Sequence, residues 1–209
     1  MNSSPIVAGV RAAHAALVAN ASGIESLVRA MGDGDHHLDV RRGCDAVMAV
    51  RSDLQSMSPG AALVAIGTAL FSAVEGAWGP LISGFFIAMG KSIGDAALPG
   101  RRDVAQAFAA GVESVKLHGR ADMGEKTMLD VLIPVSRLLL KLSAEAIALE
   151  ELCAQVNAEA TRNMLATRDM MAAKGRAHTL GERAMGHIDP GSKTCEVIIA
   201  AVAQAVLSR

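Results

Sequence analysis

Helix-start signals recur along the whole of this 209-residue chain, and no stretch alternates apolar and polar residues at the strand period. Ser4-Pro5 places a cap and an N1 proline ahead of a helix over 6–19. Ser22 with Glu25 has the spacing of a capping box for a short helix toward residue 31. Further helices are expected over 38–54, from Ser58-Pro59, from Gly79-Pro80, and from Arg101-Arg102-Asp103 to about residue 119. The segment 125–142 reads as another, 143–173 as one long or broken helix, and Asp189-Pro190 opens the last. The sum is an all-α bundle of about eight substantial helices with short connections. One domain spanning 1–209 is expected, since no Pro/Ser-rich linker and no repeat divides the chain.

The core of such a bundle has few aromatics to draw on. They make up 2% of the chain, with one Trp, four Phe and no Tyr, so Ala, Leu, Val, Ile and eleven Met must fill it. Met164, Met170 and Met171 therefore read as gap-fillers of the core. A net charge of −1 and a pI near 6.6 give no electrostatic footprint for nucleic acid, and stacking platforms are missing. Three cysteines, odd in number and without metal-like spacing, fit a reducing compartment. The first basic residue is Arg11, so no signal-peptide n-region is evident. Mean hydropathy is +0.33, but the apolar run 61–74 falls short of the roughly 20 residues a membrane span needs. A cytoplasmic protein with no membrane segment is expected.

The chemically loaded residues fall in four glycine-containing segments, 32–39, 76–80, 119–127 and 175–191. In the first, Asp33, Asp35 and Asp39 can aim several oxygens at one hard cation. A bare Asp-Gly-Asp is more often a solvated acidic turn. An EF-hand fails, because counting from Asp33 puts Leu38 at the glycine position and Cys44 at the bidentate glutamate. Zinc is a poor match, with oxygen ligands near and thiols far away. Magnesium suits the segment better, since it takes one or two carboxylates and shares other positions with phosphates.

Two segments approach a P-loop, 84–92 and 119–127, but both have wrong spacing and neither follows a strand. Gly124 and Lys126 still stand where a helix begins and free N–H groups attract phosphate. Ordinary capping with a surface lysine explains them equally well. The last segment gathers Arg176, His178, Glu182, Arg183, His187 and Asp189. Arg176 suits a phosphate bidentately. Asp189 reads first as the cap of the final helix, Glu182 with Arg183 as an ion pair, and His187 as a general base or a structural histidine.

Together these segments resemble the family of nucleotide-binding L subunits (DhaL) of dihydroxyacetone kinases. The resemblance rests on G-D-G-D-H at 32–36, G-A-W-G-P-L at 76–81, G-E-K-T-M-L-D-V at 124–131 and L-G-E-R-x-x-G-H-x-D-P-G at 180–191, in that order. It implies a barrel of eight antiparallel helices that holds ADP or ATP at one end with one or two Mg2+ ions. It also implies a K subunit carrying dihydroxyacetone or a related ketose such as erythrulose. The phosphoryl donor is then ATP or a phosphotransferase-system subunit, and homo-oligomers are compatible. By position, Asp33 and Asp35 become metal ligands. His36, His37, Leu38 and Asp39 line the nucleotide, Ala77 and Trp78 its phosphates, and Gly119 and Met128 the nucleoside. Arg176, Asp189 and Pro190 close the site.

The chain departs from that pattern where it matters. Val28 replaces a third metal-binding aspartate, Trp78 a small serine at the phosphates, and His37 and Glu75 replace glycines. Asp39 stands in place of an asparagine and offers a substitute third carboxylate. The leading expectation is a kinase subunit relying on positioning and charge neutralisation by metal. A partner-binding homologue without turnover is the alternative, and a lipid carrier is a third reading that leaves Arg176, Lys126 and the Asp pair unexplained.

Overall fold

The computed structural model describes residues 4–32, 34–174 and 176–208, with Arg176 and Thr179 described through their backbone alone. Among these residues are nine α-helices and no strand. They are α1 (Pro5–Ala19), α2 (Ala21–Met31), α3 (His36–Ala49), α4 (Pro59–Ala73), α5 (Trp78–Ile93), α6 (Arg101–Gly119), α7 (Leu129–Ser143), α8 (Leu149–Ala166) and α9 (Pro190–Leu207). From α3 to α9 each helix packs on the next, and α1 packs on both α9 and α3. Eight helices thus close a ring, with the short α2 set against α3 and α9. None of the described helices is long and apolar enough to cross a membrane.

The punctuation acts as its chemistry dictates at several ends. Ser58 Oγ accepts the Ala61 N–H, and Pro59 follows at N1. Asp189 Oδ2 accepts the Ser192 N–H at 2.6 Å, again with proline at N1. α2 stops at Gly32, whose φ of +57° is the left-handed cap that glycine adopts without cost. The capping box expected from Ser22 and Glu25 does not form. α2 begins at Ala21, so Ser22 lies inside the helix, and Glu25 pairs with Arg29 instead.

Other boundaries also shift. α3 starts at His36 because the Asp35 carbonyl accepts the N–H groups of both Leu38 and Asp39. It ends at Ala49, and the chain continues to a 3-10 turn, Asp53–Gln55. α5 begins at Trp78, just ahead of the Gly79-Pro80 signal. α7 starts at Leu129 rather than 125, since the residues before it are bent into a loop described below. The stretch 143–173 contains only α8 and the 3-10 turn Thr167–Asp169, with 144–148 as a connection.

The largest apolar cluster joins α5 to α9 through Phe85, Val115, Leu129, Val131, Val156 and Met164. Phe85 meets Phe86 and Phe108 edge-on, both at 5.3 Å. Val7, Leu54, Ile66 and Leu70 belong to a second cluster. Trp78 packs against these two clusters and a third that contains Val28. Met164 is buried as expected, whereas Met171 is 58% exposed. It lies past the end of α8, in the connection that follows the 3-10 turn. α4 and α5 cross so closely that a Cβ on Gly60 would lie 2.2 Å from the Gly94 carbonyl oxygen.

All three cysteines are free. Burial pushes the Cys195 thiol up to about 12 and the Cys44 thiol up to about 11, helped by the charges of Asp189 and Asp45. Folded protein at pH 8 should therefore react slowly with a disulfide reagent at both thiols and quickly only in urea. A fast native phase at Cys195 or Cys44 would contradict this. The sign for stability is also fixed. An unfolded thiol ionises near 9.0 while the folded one keeps its proton, so stability falls as pH rises above that value.

Candidate functional site

The first turns of α3, α5, α7 and α9 meet at one end of the ring. His36, in the first turn of α3, stands edge-on to Trp78, the first residue of α5, with ring centroids 5.3 Å apart. Its Nε2 lies 3.0 Å from Thr194 Oγ1 in α9. The Thr194 hydroxyl directs its proton to the Pro190 carbonyl, so Nε2 of His36 is the donor in that contact. Ser192 Oγ in turn donates to the Thr127 carbonyl just ahead of α7, at 2.8 Å. Helix N-termini present unsatisfied N–H groups and the positive end of the helix dipole. Four of them drawn together suit an anion, phosphate above all.

Residues 120–128 form the loop between α6 and α7. Asp130, 1% exposed, bends it by accepting the N–H groups of Gly124 and Thr127 on its two oxygens. The spacing from Thr127 to Asp130 is the capping-box signal that points to this turn. Lys126 is not the surface lysine its position suggested. It is 1% exposed, and its Nζ donates to the carbonyls of Thr167, Met170 and His187 at 2.7, 3.1 and 2.7 Å, with that of Arg168 farther off at 3.5 Å. Burial pulls its pKa down, against the opposing charges of Asp189, Asp169 and Asp130. An ammonium with three carbonyl partners has no donor left for a phosphate.

Of the proposed metal ligands, Asp33 lies outside the described residues. Asp35 is exposed at the N-cap of α3 and makes no side-chain cap bond. Asp39 follows one turn later, buried, with Oδ1 3.3 Å from Arg42 Nη1. Asp35 is the N-cap and Asp39 lies in the first turn, so both carboxylates belong to the start of α3. Among the described residues no group of three or more His, Cys, Asp or Glu side chains is placed to hold a metal. The pair is a hard-oxygen donor set, which fits magnesium rather than zinc.

The remaining positions divide. Ala77 is exposed in the turn before α5, Gly119 closes α6, and Met128 is buried at the N-cap of α7. Asp189 and Pro190 are buried at the start of α9. The Arg176 side chain lies outside the described residues. His37 and Leu38 line a pocket of about 240 Å3 with His14, Ile24 and Cys44, between α1, α2 and α3. Val28, 2% exposed, is core and offers nothing to a ligand. The Trp78 ring is taken up by core packing rather than left standing in the turn as bulk. Glu75 remains exposed.

Sequence reasoning missed the ties from α9 to the loop before α7 and to α3, because Ser192 and Thr194 look like ordinary helix residues. It identified the Asp189 cap. Asp189→Ala should lower stability by about 1–2 kcal/mol in urea unfolding, the value of a helix cap. A loss below about 0.3 kcal/mol would contradict the cap.

These features define a helical barrel with the N-termini of four helices gathered at one end. The DAK2 domain family matches residues 30–204, and the chain belongs to that family. A Listeria innocua protein, "PEP-dependent dihydroxyacetone kinase 1, ADP-binding subunit DhaL", is 31% identical over 88% of this chain and 87% of its own length. The Escherichia coli K12 "PEP-dependent dihydroxyacetone kinase, ADP-binding subunit DhaL" is 34% identical over 81% of this chain and 80% of its own. The fold also matches a crystal structure of the dihydroxyacetone kinase from C. freundii in complex with AMP-PNP and Mg2+, with a TM-score of 0.74. At 24% identity that likeness is one of fold. It covers 97% of this chain but 34% of the kinase chain.

Proposed function

We propose that this chain is the ADP- or ATP-holding subunit of a cytoplasmic dihydroxyacetone-type kinase, with residues 1–209 as one nucleotide-binding domain. The convergence of four helix N-termini at the glycine-containing loops carries the reading, in a chain whose relatives are ADP-binding subunits. The phosphates then lie against the turn at Ala77 and Trp78 and the first turn of α3, with Arg176 as their bidentate partner. His36, fixed by Thr194 and Trp78, holds that turn in register. Gly119 and Met128 border the nucleoside, while Asp189 and Pro190 close the far side. His37 and Leu38 meet the ligand only from the α1–α2 flank.

Asp35 and Asp39, with Asp33, would hold Mg2+, which supplies charge neutralisation for the phosphates when bound. The ketose comes on a separate K subunit, a reading supported by relatives that are each the ADP-binding subunit of a kinase. A phosphotransferase-system subunit or ATP supplies the phosphoryl group. Val28 favours one second reading, a partner-binding homologue without turnover, because its apolar side chain removes a carboxylate from the site.

Calorimetric titration with ADP, with and without Mg2+, separates the two. Micromolar or tighter binding that EDTA removes supports the kinase subunit. A folded protein that binds neither ADP nor ATP belongs to the second reading.

A further inference from the structure

The three carbonyls that hold Lys126 come from the two feet of one segment. Thr167 and Met170 lie where the chain leaves α8, and His187 lies two residues before Asp189, the cap of α9. Between those feet, Ala172, Ala177, Leu180 and Ala184 rest on Met31 at the end of α2, beside the Gly32 turn. The Gly186 N–H donates to the Arg168 carbonyl at 2.8 Å, tying one foot to the other. The Ala173 N–H donates to the Glu125 carbonyl, tying the segment to the loop that presents Lys126. Lys126 itself sits at a φ of +59°, a region that a side-chain-bearing residue rarely adopts. That backbone turn aims the ammonium inward, and Asp130 fixes it through Gly124 and Thr127.

We propose that Lys126 is the positioning residue of the site. Its ammonium latches the described residues of 167–187 as a strap across the loop end of the barrel, and so sets nucleotide affinity without touching nucleotide. The strap carries Arg176 and delivers Asp189, so releasing its feet frees both at once. A neutral side chain at 126 would take the ammonium donor from the Met170 and His187 carbonyls and leave that of Thr167 only the Met170 N–H. The effect on affinity rests on the nucleotide reading above, whereas the latch itself does not.

The test compares the full chain with its Lys126→Met variant by peptide-resolved amide exchange and by ADP titration in Mg2+. Exchange across 170–187 should accelerate about tenfold or more, with α4 and α5 unchanged. The dissociation constant for ADP should rise roughly 10- to 100-fold, the loss of charge-assisted hydrogen bonds. Unchanged strap exchange overturns the latch, and faster exchange with unaltered affinity overturns its role in the site. If the wild-type chain binds no ADP, the nucleotide reading fails while the exchange data still decide the latch. A measurement on the wild type alone covers a variant that does not fold. The amides of Gly124, Thr127, Ala173 and Gly186 should share one opening equilibrium in dilute urea. Strap amides that open independently of Gly124 and Thr127 contradict the proposal.

Discussion

Asp39→Asn keeps the fold and weakens magnesium-dependent ADP binding by roughly 100-fold, as loss of one of few hard ligands should. The expectation follows from where the carboxylates are. Val28 is sealed into an apolar cluster, so that position of α2 has no acid to offer. Asp39 is one helical turn from Asp35 and is the buried member of the pair. Its present partner, Arg42, is half-exposed, and asparagine keeps a side-chain oxygen to accept from that guanidinium. Stability should therefore barely change while binding collapses. Asp45→Asn is the matched control: that residue is 70% exposed at its side chain and pairs loosely with His14, so affinity should hold. Equal loss in both variants would show a general charge effect rather than a ligand.

The largest expected stability change is at the α4–α5 crossing. Gly60→Ala should cost about 3 kcal/mol in urea unfolding, at the upper end of the usual range for overpacking. The added methyl would meet two backbone oxygens, that of Gly94 at 2.2 Å and that of Gly90 at 2.9 Å. Backbone of a neighbouring helix cannot swing aside as a side-chain tip can, so the helices must separate. Gly90→Ala meets the same wall from the other side, with the Gly60 oxygen at 2.5 Å. Gly23→Ala supplies the contrast. It lies inside α2 with nothing within 4 Å of the new methyl, and should stabilise the chain by about 0.5–1 kcal/mol. A neutral Gly60→Ala would mean that α4 and α5 do not cross this tightly.

Much of this architecture is legible in the sequence because its signals are local. Ser58-Pro59 and Asp189-Pro190 start helices where the chain says they do, and the absence of period-two alternation excludes a sheet. The four glycine-containing segments stand out as the places where chemistry gathers, and the structure joins the helix starts that follow them. What the sequence hides is direction and distance. Nothing local says that Lys126 turns inward, because its carbonyl partners lie more than forty residues away and carry no side-chain signature. The Ser22–Glu25 box fails because α1 runs almost directly into α2, leaving no free N-terminus to cap. Trp78 reads as an obstruction from its position in the phosphate turn. Core from three sides surrounds its ring instead, and Gly43 in α3 leaves room for it.

The central claim is that one ADP–magnesium site spans the starts of α3, α5, α7 and α9. A crystal structure of the full chain grown with ADP and Mg2+ tests it most directly. The expected result is a metal on Asp35 and Asp39, with phosphates at the turn before Trp78 and Lys126 still turned away on its carbonyls. Nucleotide bound elsewhere, or Asp39 still held only by Arg42 with no metal beside it, would contradict it.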